Sequence, residues 1–272
     1  MPDEVVITPQ GIQQGYRPRL RATVPLVRLW VERDLRARYR HSGLRSAWTI
    51  IQPVALLLTY GWVFTAVLDV PQEGVPYLSF AWAGLVGYNF AAQSLGVGVG
   101  SILDAGDIVQ KAYFPREVLP LAVVGVATWD LFVTFAILLV LTWLQIGPPT
   151  IHVLGAVLGL AVLIVWVAAT TIVVATLAVR FRDLKHSMPL ILRVMFILTP
   201  VMYSAELLAG TGSLLLTVNP LAVSIDAMRE GVLNHTWPPW WPLLIQALAG
   251  CALLVASVPL VKRAERLISD RL

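Results

Sequence analysis

A single cysteine, Cys251, stands in 272 residues, which excludes an internal disulfide and a thiolate metal cluster. The four histidines (His41, His152, His186, His235) are scattered, and no H-E-x-x-H occurs, so the signature of a zinc hydrolase is missing. The three lysines follow Gln110, Leu184 and Val261. None closes a G-x-x-x-x-G-K-[ST], so the chain has no P-loop of its own for ATP. Residues 1–23 lack an apolar signal core, and no cleaved leader is expected. Charge is scarce as well, at 13% of residues, where soluble domains carry about a quarter. With 57% hydrophobic residues and a mean hydropathy of +0.75, a soluble fold is excluded.

The positive charge that remains is patterned. Eighteen of the twenty Lys and Arg residues fall in four short segments at alternating ends of long apolar stretches. Nine Arg precede residue 46. The others are Lys111 and Arg116, then Arg180, Arg182 and Lys185, then Lys262, Arg263, Arg266 and Arg271. This is the positive-inside pattern of a multi-pass membrane protein with both termini cytoplasmic. The net charge of +4 and pI near 9.5 therefore point to lipid headgroups rather than nucleic acid.

A helix crossing the hydrocarbon needs about 20 apolar residues, and lipid leaves an unpaired chain no state but helix. The expected fold is an all-α membrane protein of six transmembrane helices, at about 46–68, 76–103, 118–146, 151–179, 187–203 and 240–261. A tail (1–21) and an amphipathic interfacial helix (22–45) precede them, and a cytoplasmic tail (262–272) follows. Segment 104–116 lies on the cytoplasmic side, and an outer segment, 204–238, precedes the last span. That outer segment is too polar for a span and is broken at Gly210-Thr211-Gly212. It reads as short helices re-entering from outside, or as a surface hairpin, and re-entrant backbone survives only beside protein or a water-filled cavity. Arg229 is its only basic residue, and Trp237, Trp240 and Trp241 suit the outer interface.

Two ionisable residues, Asp130 and Arg193, lie deep in the spans. Such charges pair, join a hydrogen-bonded site or line a path for an anion. Gly96 and Gly100, and Gly155 and Gly159, form G-x-x-x-G pairs that let helices pack closely. Asn89 and Gln93, one turn apart, bond between helices or face a polar conduit. Aromatic residues cluster in the first three spans: Tyr60, Trp62 and Phe64; Trp82, Tyr88 and Phe90; Trp129, Phe132 and Phe135. They serve as core, as lipid-facing surface, or as the stacking lining of a carbohydrate path.

The order of several motifs is similar to a known family. The run Trp30–Tyr39 (WVERDLRARY) with Leu44, Trp48 and Gln52-Pro53 resembles the start of ABC type-2 permeases for polysaccharide export. So do Lys111–Pro120 (KAYFPREVLP), Val179–Lys185 (VRFRDLK), Thr199–Ser204 (TPVMYS) and Asn219-Pro220-Leu221. The likeness covers roughly residues 22–265 in order.

The resemblance implies a transporter subunit in the bacterial inner membrane, not an enzyme. Two copies would pair with two copies of a separate ATPase that binds ATP and Mg, and the cargo would be a lipid-linked polysaccharide such as O-antigen or teichoic acid. It implies a coupling segment over 104–116, with Asp104, Asp107, Lys111, Tyr113, Phe114 and Arg116 at the ATPase, and outer gate helices over 204–238. Within that scheme Arg36, Arg38, Arg40 and Arg45 would meet the diphosphate, because Arg binds phosphate in a bidentate manner. Generic attraction to anionic lipid is the simpler role for the same side chains. Tyr60, Trp62, Phe64, Trp82, Tyr88, Asn89, Phe90, Trp129 and Phe132 would line the conduit. Seventeen Arg against three Lys suits a GC-rich genome and, with it, an actinobacterial galactan precursor as cargo. The competing classes are a small-molecule efflux permease and a membrane enzyme acting on lipid-linked sugars.

Overall fold

A computed structural model describes residues 16–40, 75–106, 114–204 and 218–271, together with Ile51, Val54, Ala55, Leu58, Thr59 and Trp62. Among the described residues there are seven long helices and no strand: α1 (Tyr16–Arg40), α2 (Tyr77–Gly98), α3 (Val118–Gln145), α4 (Val153–Arg180), α5 (Asp183–Leu198), α6 (Pro220–Val232) and α7 (Trp240–Arg271). Three of them are long and apolar enough to cross a membrane: α3, α4 and the Trp240–Ala264 part of α7. The expected first span, 46–68, lies largely outside the described residues. So does 205–217 of the outer segment.

Helix α2 is the packing centre. It touches α3, α4, α5 and α6, while α4 touches α7, α6, α2, α3 and α5. Trp82, Leu85 and Val86 of α2, Leu131 and Leu138 of α3, Leu163 of α4, and Ile225 and Met228 of α6 form one buried cluster. Close approach depends on missing side chains. A Cβ on Gly98 would strike Thr171 Cγ2, and one on Gly159 would lie 2.8 Å from Ala227 Cβ. Of the two G-x-x-x-G pairs, the α4 pair meets α6 and the Trp237-Pro238 loop, whereas Gly96 is exposed beside Leu192.

The antiparallel α2–α3 pair is also stitched by polar bonds along its length. Ser79 Oγ donates to Gln145 Oε1 (2.6 Å), Trp82 Nε1 to Thr134 O (3.1 Å), and Gln93 Nε2 to Asp130 Oδ2 (2.9 Å). In bilayers such bonds contribute on average about 0.6 kcal/mol each.

Helix α5 has 16 residues, about 24 Å at 1.5 Å per residue, which is short of a hydrocarbon core of roughly 30 Å. Pro200 ends it. A proline disfavours helical backbone in the residue before it, and Thr199 is extended at φ −93° and ψ 129°. The chain turns within the protein through residues 199–204, and α6 then packs against α4 and α2. Asn219 caps α6 by accepting from Leu221 N at 3.0 Å, with Pro220 as the first helical residue, an arrangement suited to a helix start.

Gly231→Ala places a Cβ 2.6 Å from His152 O and 2.8 Å from Ala156 N, both backbone. We expect a loss of about 1–3 kcal/mol from overpacking, measured as a lower melting temperature in detergent. Gly96→Ala meets only the Leu192 side chain at 3.4 Å and is expected to melt like the parent.

Candidate functional site

The residues with functional promise gather at two ends of the bundle. At one end, α2 runs out through turns closed by Ser101 N to Gly98 O and Gly106 N to Leu103 O. The chain returns at Phe114 and enters α3 at Val118. Asp107, Lys111 and Tyr113 lie outside the described residues. Both flanks of the segment are anchored. On one side Asp104 Oδ1 accepts from Lys185 Nζ at 2.6 Å, joining the end of α2 to the start of α5. Gly100 makes room, since a Cβ there would lie 2.7 Å from Asp104 Oδ2 and 3.0 Å from Lys185 Cε. On the other side Phe114 stacks on Trp30 of α1 with centroids 6.1 Å apart. Ile102, Leu119, Ala175 and Val179 form a small buried cluster under that stack, with Ala264 of α7 packed against it. Arg116 is half-buried and Glu117 buried. Six helices thus meet at the two flanks of 107–113.

Helix α1 lies along α3, with Val31 packed into the space left by Gly125. Its charges are paired on the outside: Glu32 receives Arg28 (2.9 Å) and Arg36 (3.1 Å), and Arg33 pairs with Asp34 (2.8 Å). Exposed pairs of this kind contribute about 0–1 kcal/mol, which leaves Arg36 available to an anion. Arg33 also lies over the Trp30 ring at 4.0 Å. The backbone of Arg38 and Arg40 belongs to α1, and Arg45 lies outside the described residues.

The aromatic candidates divide sharply. Trp62, Trp129 and Phe132 are exposed, whereas Tyr60 and Phe64 lie outside the described residues. Trp82, Tyr88 and Phe90 are buried inside the helix bundle. Trp82 is bonded to the α3 backbone. Tyr88 donates to Leu192 O at 2.5 Å and packs edge-on against Phe196 at 4.8 Å. These three pack in the buried core of the single chain. Asn89 is half-buried. The deep charges are also separated: Asp130 is buried and bonded to Gln93, while Arg193 is exposed on α5 and takes no part in that bond. A carboxylate facing α2 finds a neutral amide there, and a long cation on a short helix does not need to reach inward.

At the other end the structure reveals a residue whose role sequence reasoning missed. Arg229 of α6 is buried at 7% exposure and donates to Pro200 O (2.9 Å) and Val201 O (2.6 Å). Its signal was present in the sequence, as a lone arginine among the largely apolar residues of 221–233.

A helical bundle of this kind, with a short fifth helix followed by a buried turn and α6, can be compared with known proteins. The sequence model of the ABC-2 type transporter family matches residues 25–233. The chain belongs to that family. It is therefore a transporter component and not an enzyme. Among its relatives is the O-antigen export system permease protein RfbA of Myxococcus xanthus, 31% identical over 229 residues, covering 84% of this chain and 87% of that protein. Two proteins of the same name from Klebsiella pneumoniae are 27% and 28% identical, each over 75% of this chain and covering 78% and 80% of their own lengths.

In this ABC-2 transporter chain the Asp104–Lys185 pair is half-exposed, so each single reversal, Asp104→Lys or Lys185→Asp, is expected to lower transport by no more than about fivefold, the upper end for such a pair. The double swap is expected to restore it, as read by transport in membrane vesicles.

Proposed function

We propose that this chain is the membrane permease of an ATP-driven exporter that moves a polyprenyl-diphosphate-linked cell-surface polysaccharide out across the bacterial inner membrane. The observation that carries the reading is the likeness to the Myxococcus permease over 84% of the chain. In this scheme the chain crosses the membrane six times, with both termini cytoplasmic. Two copies form the path, and two copies of a separate ATPase subunit bind ATP and Mg beneath them. O-antigen, teichoic acid and galactan precursors share the required chemistry of an anionic lipid head and a hydroxyl-rich chain.

The physical difficulty is the glycan. Each hydroxyl taken into hydrocarbon without a partner costs several kcal/mol, about 4–8 in a solvent that cannot hydrogen-bond. A shielded path is therefore required, while the lipid tail stays in the bilayer. Trp62, Trp129 and Phe132 are exposed and offer flat faces on which sugar rings stack. Arg36, Arg38, Arg40 and Arg45 lie on or just beyond α1 and would draw the diphosphate to the cytoplasmic face. Leu190, Ile191, Val194 and Ile197 of α5 form an exposed apolar face suited to lipid or to a second copy.

Drive from the ATPase enters at 104–116 in this reading. Motion of the loop would reach α1 through the Phe114–Trp30 stack and α5 through the Asp104–Lys185 pair. Chemical energy spent outside the chain thereby becomes a shift of helices within it.

The test is reconstitution of the permease with its ATPase in proteoliposomes containing a fluorescent lipid-linked glycan. ATP-dependent appearance of glycan on the far side is expected. Phe114→Ala is expected to lower that rate by up to about tenfold, since an aromatic pair contributes about 0.5–1.5 kcal/mol beyond its area, with membrane insertion unchanged. ATP-driven movement of small dyes with no movement of glycan would move the assignment to efflux. Chemical change of the glycan without the ATPase would make the chain an enzyme.

A further inference from the structure

Arg229 has no part in the scheme above, yet it occupies the most heavily constrained place in the molecule. Helix α5 ends at Leu198, and the turn that follows is buried: Thr199 and Val201 have 0% exposure. The carbonyls of Pro200 and Val201 point into protein, where no water is at hand, and a buried carbonyl needs a donor. The two Nη groups of Arg229 supply one each. The guanidinium plane lies over the Phe80 ring of α2, 3.6 Å from its centroid. Gly84, one turn further along α2, must be glycine, because a Cβ would collide with Val201 O and come within 3.0 Å of Arg229 Nη2.

Two further bonds brace the same junction. Asn219, at the other end of α6, donates through Nδ2 to Thr199 Oγ1 at 3.1 Å. Tyr77, at the start of α2, donates to Met202 O at 3.2 Å. The junction thus ties three separate elements (α2, the end of α5, and α6) around one cation. Lysine could not replace it, because only a planar fork serves two carbonyls while lying flat on a ring.

We propose that Arg229 is a positioning residue of the outer gate. It locks α6 to α2 and to the end of α5, so that the three move as one body during export and the outer end opens by displacement of that body, not by a swing of α6 alone. The proposal rests on the export reading only for what the movement achieves; the locking itself is a property of the fold.

The experiment uses the permease–ATPase complex in proteoliposomes, in a Cys251→Ser background. A spin label is placed at Asn234→Cys, exposed just beyond α6, and a control label at Leu158→Cys, exposed on α4. Arg229→Lys and Gly84→Ala, on different helices, are expected to give the same result: a more mobile label at 234, an unchanged label at 158, and glycan exported per ATP lowered by about tenfold or more, the scale of losing hydrogen bonds from a charged donor. Phe80→Leu, which removes the ring but neither carbonyl bond, is expected to loosen 234 to a lesser degree, and it serves if the stronger variants do not assemble. The proposal is overturned if 234 keeps its parent mobility in Arg229→Lys and Gly84→Ala. It is also overturned if 158 loosens equally, since Arg229 would then only hold the whole bundle together. Failure of the parent complex to export any glycan removes the export reading and leaves the label comparison intact.

Discussion

Backbone carbonyls left over where α5 breaks are the constraint around which α6 and the start of α2 are organised. A helix too short for the bilayer has to end inside the protein, and its last peptide groups have no water to accept. The solution is a cation brought from another helix, with a ring beneath it and a glycine beside it to admit the carbonyl. Burying a charge for this purpose is costly. Two charge-assisted bonds and a π face offset part of that cost, while Arg229 Nε has no hydrogen-bond partner among the described residues. The position of α6 follows from it.

The opposite end of the bundle is built with exposed and apolar contacts. Residues 107–113 are flanked by one ion pair and one aromatic stack, each reaching a different helix. Neither contact is strong, since exposed pairs and ring stacks contribute on the order of 1 kcal/mol. The α2–α3 seam between the two ends is buried and carries three polar bonds spaced along its length.

Much of this was legible in the residues. The four basic segments and the long apolar runs anticipated α3, α4 and α7, and Gly155 and Gly159 were read correctly as packing positions. What escaped was everything decided by which way a side chain points. Trp82, Tyr88 and Phe90 are chemically as suited to a sugar as Trp129 and Phe132, and only the packing of α2 against four other helices separates core from surface. Asp130 and Arg193 left open an ion pair, a hydrogen-bonded site or an anion path, and Asp130 is hydrogen-bonded by Gln93. Arg229 was hidden by its own simplicity, for a lone arginine among apolar residues gives no hint that two carbonyls lie waiting for it.

Helix α2 carries Ser79, Gly84, Gly87, Asn89, Gln93, Ser94, Gly96 and Gly98, a composition with little affinity for hydrocarbon. It tolerates them because α3, α4, α5 and α6 surround it, so lipid scarcely touches it. Those neighbours are all synthesised after it. A ribosome making this chain therefore releases its central helix before any of the surfaces that shelter it exist, and the insertion machinery must hold that segment until α3 and α4 arrive.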